Sequence, residues 1–264
     1  MISKDGGEQI LHARLNDLCA KAQKGVLGVS QFLSPAELNS AKRHLRTLGV
    51  EFVSYGGYSD AERCRVYILP EYMTVGEDID ETLEEYGFSS EICAIMITGS
   101  GYRKLTHRDF LGSLLGLGLE RAVIGDILVT DENGREAVVL CDTTICGFIE
   151  SELLCVANDK VRVKRLQNGE WEAPARRTVA LHDTVASPRI DAVVSAICGI
   201  SREKAREAVV SGLVEIDFER EERPDRTVGV PSVVSVRGVG KFKINSLSDK
   251  TKKGRYRLEA EKYV

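Results

Sequence analysis

Ser187-Pro-Arg-Ile-Asp-Ala-Val-Val-Ser-Ala-Ile-Cys-Gly-Ile-Ser-Arg-Glu-Lys-Ala-Arg-Glu-Ala-Val-Val-Ser-Gly-Leu-Val-Glu-Ile-Asp217 reads as two short helices running into a strand. Ile190, Val193, Val194 and Ile197 recur at helical spacing and form one apolar stripe. Pro188 suits a first helical turn and Gly199 a helix end. Ser201 is placed to cap the second helix, Ala205, Ala208 and Val209 are its buried face, and Gly212 stops it. Arg202 and Arg206 lie four residues apart, so both guanidinium groups leave one side of that helix. Clustered Arg groups on a small helix pair suit a phosphate-bearing partner.

The same residues resemble the RNA-binding domain named after ribosomal small-subunit protein four, the S-four domain. Arg189, Asp191, Ser201, Arg202, Ala205, Arg206, Gly212 and Val214 match its pattern. Asp217-Phe218-Glu219 replaces the family's Asn-Gly turn, and Val230-Pro231-Ser232 its Pro-Gly-Asp. The resemblance implies a two-helix plus β-hairpin module over residues 182–264. Arg189, Arg202 and Arg206 are its expected phosphate contacts, with Lys204, Arg237, Lys241 and Lys243 flanking and a basic tail from Lys250 to Arg257.

The whole chain has 264 residues, 43% apolar and 29% charged, enough for two or three small domains with real cores. The N-terminal residues lack the apolar stretch of a signal peptide, and no apolar run is long enough to span a bilayer. The seven cysteines are never spaced Cys-x-x-Cys, so they are expected as reduced, small hydrophobes, with no metal site and a cytoplasmic location. The net charge of −4 hides an asymmetry: residues 174–264 hold 18 Lys+Arg against 13 Asp+Glu, and the remainder 18 against 27. A basic module thus rides on an acidic carrier, and its local field attracts phosphate.

Toward the N-terminus, residues 8–24 read as a helix, and Ser34-Pro-Ala-Glu is a capping box opening a helix that ends near Gly49. Val50–Tyr55 and Arg63–Leu69 are β-like, making residues 1–88 a small α/β domain. The acidic run Glu77–Glu85 reads as a solvated face or linker. Residues 89–173 follow the order β-α-β-β-α-β, the split βαβ arrangement of ferredoxin-like and RRM domains, so the class is α+β. An RRM stacks bases on aromatics of its central strands, and Ala94-Ile-Met-Ile and Ala137-Val-Val-Leu offer none. RNA contact by this domain is expected through loops or edges.

Thr98-Gly-Ser-Gly-Tyr-Arg-Lys-Leu-Thr-His-Arg-Asp109 carries a strand through a Gly-rich loop to a helix start. Thr106 is placed to cap that helix with Asp109 in support; backbone N–H groups there favour anions, so Arg103, Lys104, His107 and Arg108 are expected as a second RNA contact. The loop is not a nucleotide P-loop. His107-Arg108-Asp109 echoes the protein-kinase catalytic triplet without its companions. Nothing brings Asp109 and Asp126 together as an acid–base pair, and no catalysis or cofactor is expected.

Thr106-His-Arg-Asp-Phe-Leu-Gly112, Gly125-Asp-Ile127, the S-four unit and Arg237-Gly-Val-Gly-Lys-Phe242 together resemble the YlmH family of bacterial RNA-binding proteins over nearly the full chain. That resemblance implies a ribosome-associated factor linked to large subunits stalled with peptidyl-tRNA. The expected partners are structured rRNA or tRNA and the large subunit, with no membrane and no DNA. Two alternatives stand beside it: an RNA-modifying enzyme with an appended S-four domain, and a protein-interaction scaffold linked to cell division. The first lacks a methyltransferase cofactor loop, the synthetase His-Ile-Gly-His and the pseudouridine-synthase Gly-Arg-Leu-Asp.

Overall fold

The computed structural model describes residues 4–76, 78–167, 170–174, 177–251 and 254–263. The chain divides into two units, Met1–Pro174 and Ala175–Val264. In the first, α1 (Lys4–Ala22) packs on α2 (Pro35–Leu48). At the start of α2 the Glu37 carboxylate accepts from Ser34 N–H at 2.7 Å while Ser34 Oγ accepts from Glu37 N–H, the reciprocal cap the sequence predicts. Leu38, Ala41 and Leu45 then pack with Leu15 and Cys19 against a small antiparallel sheet. Its strands are β1 (Gly28–Val29), β2 (Phe52–Tyr55) and β3 (Arg65–Ile68), in the order β1-β3-β2.

The acidic run is a solvated face, but on a helix and not a linker. Ile79–Glu85 forms α3, with the Asp78 carboxylate accepting from Glu81 N–H at 3.1 Å. Leu83 is buried with Leu27, Tyr67, Leu69 and Met73. Buried Thr82 and Leu83 and a capping aspartate turn a solvated stretch into a helix; Glu77 lies outside the described residues.

The second sheet of this unit contains β4 (Ile92–Gly99), β5 (Ile124–Val129), β6 (Glu136–Asp142), β7 (Cys155–Val156) and β8 (Asp159–Leu166). It is antiparallel, in the order β5-β6-β4-β8-β7. Two helices, α4 (His107–Gly116) and α5 (Cys146–Glu152), bury Phe110, Leu114 and Ile149 against Cys93, Ile95 and Ile97. Strand alternation sends Ala94, Met96, Val138 and Leu140 to the other face. Segments of the N-terminal part cover that face: a Cβ on Gly57 would meet Leu140 Cδ1 at 2.7 Å, and one on Gly125 would meet the Phe32 ring at 2.7 Å. Both contacts need glycine because backbone and side chain touch directly.

Two arginines weld the sheets together. Buried Arg63 donates to the carbonyls of Ile124, Arg121 and Phe32, and buried Arg65 donates to those of Ser30 and Glu91 and pairs with Asp142 at 3.1 Å. The cysteines depart from expectation. Cys93 and Cys146 are joined by a disulfide, and Cys141 Sγ lies 3.9 Å from Cys146 Sγ. The pairing crosses from strand to helix in the core, which no sequence spacing reveals.

The second unit is one antiparallel sheet with a helix pair on one face. Its strands are β9 (Thr178–Val185), β10 (Val214–Ile216), β11 (Glu219–Arg220), β12 (Ser232–Val236), β13 (Gly240–Lys250) and β14 (Tyr256–Tyr263), in the order β11-β10-β12-β13-β14-β9. Helices α6 (Ile190–Cys198) and α7 (Arg202–Val210) bury Val193, Val194, Ile197, Ala205 and Val209 against Phe242 and Ile244. The unit is larger than two helices and a hairpin, because β9 precedes the helices and pairs with β14 along the sheet edge. Residue 182 falls inside β9.

The departures from the S-four turn are accommodated. Asp217 and Phe218 both take positive φ, 50° and 66°, as a two-residue primed turn between β10 and β11 requires. Asp217 is held there twice: its N–H donates to Val233 O at 2.7 Å and its carboxylate accepts from Val233 N–H at 2.8 Å. These bonds do what glycine permits in the family pattern.

Candidate nucleic-acid interface

Helix α6 opens at Arg189, and Asp191 occupies its first turn, where a carboxylate complements the helix dipole. The Asp191 side chain is 5% exposed. Arg189 Nε lies 3.4 Å from its Oδ1, and Arg202, at the start of α7, donates through Nε to Oδ2 at 3.2 Å and through Nη2 to Oδ1 at 3.4 Å. Both guanidinium groups remain about half exposed, 43% and 51%. A buried carboxylate thus joins the two helices and fixes two cations at the surface. The group carries a net single positive charge, and planar guanidinium donors left facing solvent can fork onto phosphate.

Lys204 and Arg206 are exposed on α7, whose start is capped by Ser201 Oγ accepting from Lys204 N–H at 3.3 Å. Arg237 is exposed in the β12–β13 turn, its N–H donating to Leu213 O at 2.9 Å. The structure does not unite every expected contact. Phe242 and Ile244 point into the core under the helices, so Lys241 and Lys243 point away from it on the opposite sheet face. There Lys241 Nζ sits 4.6 Å from the Phe218 ring centroid, and Lys243 stands across from Glu261. Of the basic tail, Lys252 and Lys253 lie outside the described residues.

In the central motif the helix start is already filled. Thr106 N–H and Oγ1 donate to the Asp109 carboxylate at 2.8 and 2.7 Å, and Arg103 is turned onto it at 3.6 Å. The Thr106 hydrogen bonds, then Arg103 and Arg108, hold Asp109 below the usual carboxylate range. An incoming phosphate would therefore meet an anion at this helix start. His107 is pushed down from 6.5, first by desolvation and then by Arg121, which outweigh Asp126 and Glu62. Its imidazole is biased toward the neutral form, and Arg108 stays exposed beside it.

Asp126, prominent in the sequence motif, accepts from Tyr58 OH at 2.8 Å and from the N–H groups of Glu62 and Arg63 at 2.7 and 3.1 Å. It fastens a loop of the N-terminal part, while Asp109 caps a helix, so each carboxylate has a structural task apart from the other. Cys93, Cys141 and Cys146 place three buried sulfurs within 4.8 Å of one another. That is one ligand short of a structural zinc set, and two sulfurs are spent on the disulfide. Asp191 is the functional residue the sequence reading passed over except as a match. Its signal was an acid two residues from one arginine and eleven from another, across a helix turn.

Comparison with known proteins adds three findings. Residues 84–170 match the family model described as "Putative RNA-binding domain in YlmH", and residues 12–73 match "YlmH, N-terminal". The "Ribosome-associated protein quality control protein P2" of Bacillus subtilis (strain 168) is 30% identical over 236 residues, covering 89% of this chain and 86% of that protein. A solved structure named "Cell division protein ylmH from Streptococcus pneumoniae" aligns with a TM-score of 0.49 at 18% identity, over 61% of this chain and 92% of that one.

Proposed function

Because this chain belongs to the YlmH family, we propose that it is a non-catalytic RNA-binding protein that grips structured RNA, ribosomal or transfer, on the large ribosomal subunit. In this reading it serves ribosome-associated quality control in the cytoplasm, as the name of the Bacillus subtilis relative suggests. The central sheet acts as a ferredoxin-like RNA-binding domain, and residues from Ala175 onward as an S-four module enlarged by an edge strand.

One observation carries the reading: Arg189 and Arg202 are displayed, half exposed, by a carboxylate that is itself buried. An ion pair serving stability alone gains little from such exposure. A fixed pair of guanidiniums has the geometry for phosphates of a folded RNA, where contacts position without reading sequence. Sedimentation with purified ribosomal subunits tests it. The wild-type chain should travel with the large subunit, and Arg202→Ala with Arg206→Ala should release it at physiological salt without unfolding it. Wild-type sedimentation by that folded double variant would sink the proposal.

A further inference from the structure

Resting on the RNA-binding reading, we propose that Tyr102 is a base-stacking platform that takes an unpaired base from a loop or bulge of the bound RNA. Tyr102 is 94% exposed, the most exposed large apolar side chain among the described residues. It stands at the tip of the β4–α4 loop, and that loop is tied at both ends. Asp159, itself buried, accepts from Ser100 Oγ and from Ser100 N–H, and Ser100 Oγ accepts in turn from Tyr102 N–H at 3.2 Å. On the other side Arg135 Nε donates to Gly99 O at 3.2 Å, and Leu105, fully buried, donates its N–H to Gly134 O at 3.1 Å. Gly101 turns the chain outward with a φ of 85°. The ring is therefore held out by a preorganised loop, and little ordering is needed when a partner arrives.

The surroundings decide which partner fits. Ser100, Gly101, Arg103 and Lys104 are all exposed around the ring. Arg135 lies against Gly99 and Gly101, and Arg162 stands opposite Thr98 on the adjoining strand. A protein hot spot sits inside a ring of contacts that keeps water out. Here the collar is polar and cationic, which suits a base stacked on the ring with its phosphates against Arg103 and Lys104. The sheet face that an RRM would use is partly covered: Val138 and Leu140 are buried, Leu140 against Gly57, while Ala94 and Met96 are half-buried and carry no aromatic ring. Stacking is left to the loop, where any base can serve because each has a π-face.

The test uses the full chain and two RNAs, a hairpin with an unpaired loop and a fully paired duplex. Tyr102→Ala should weaken hairpin binding by about 5- to 150-fold, the range of one base–aromatic stack, and leave duplex binding unchanged. Tyr102→Phe should restore hairpin binding to within about twofold, because the ring and not the hydroxyl does the stacking. Thermal melting should be the same for all three proteins. Wild-type hairpin binding by Tyr102→Ala, or equal loss on both RNAs, overturns the proposal. So does intact binding to both RNAs with loss from ribosomal particles, which marks a protein contact. If the wild type binds neither RNA, the RNA-binding reading falls as well.

Discussion

Two places in this molecule set arginines beside an aspartate at the start of a helix, and they come out opposite. At α6 the acid, Asp191, is buried, and Arg189 and Arg202 reach down to it from the surface. At α4 the acid, Asp109, caps its own helix from a more open position, and Arg103 folds inward onto it. Burial of the acid makes the first site a pedestal that presents two cations; at the second the acid caps its own helix and holds Arg103, which stays 43% exposed, as Arg189 is. Residue type and spacing are similar at both. The buried carboxylate bridges two helices and holds two arginines, and the more open one caps a single helix and pairs with one.

The largest expected effect comes from removing both cations of the pedestal. Arg189→Ala with Arg202→Ala leaves Asp191 buried and without its ion-pair partners. Breaking a fully buried pair costs about 3–5 kcal/mol. With both guanidiniums half exposed, a loss of about 2 kcal/mol is expected by urea unfolding. Adding Asp191→Asn should recover most of it without recovering RNA affinity. If stability does not fall, the pedestal is no anchor and the comparison breaks.

Asp109→Ala should be milder, about 0.5–1 kcal/mol in thermal unfolding, the worth of a cap and a dipole contact. It should also free the α4 start for anions, so sulfate should protect this variant against heat more than the wild type. Smaller still is Arg206→Ala, which sits outside the Asp191 group. Its stability should stay within about 0.5 kcal/mol, while the log–log salt slope of RNA binding falls by about one. An unchanged slope would remove Arg206 from the interface.

The smallest effect is a pH dependence at His107. Its pKa is lowered in the folded protein, so the unfolded chain binds the proton more readily. The contribution of neutral His107 is present above the ordinary pKa of about 6.5 and is lost as pH falls below it. Melting between about pH 5 and 8 should show the wild type weakening relative to His107→Gln on the acid side. Parallel curves would mean that His107 is solvated like any surface histidine.

Much of the local architecture was legible. The caps at Ser34, Thr106 and Ser201 and the stops at Gly49 and Gly199 appear where spacing put them, because capping is settled within four or five residues. The stripe of α6 reports its buried face for the same reason. Helix α3 was missed because its acidic surface outvotes the buried Thr82 and Leu83 that hold it. Strand β9 was missed because most of its residues are exposed and its reason to exist is the edge of β14, some eighty residues away.

By itself, then, the sequence determined the local pieces, the charge asymmetry and the residues able to meet phosphate, since each depends on neighbours along the chain. Only the tertiary structure decided which of those charges are available. It buried Asp191 beneath two arginines, paired Arg103 with Asp109 at the surface, sent Lys241 and Lys243 to the far face of their sheet and left Tyr102 standing in solvent. Burial and pairing across tens of residues are properties of packing, and a charge or a ring acquires its function from the depth at which packing leaves it.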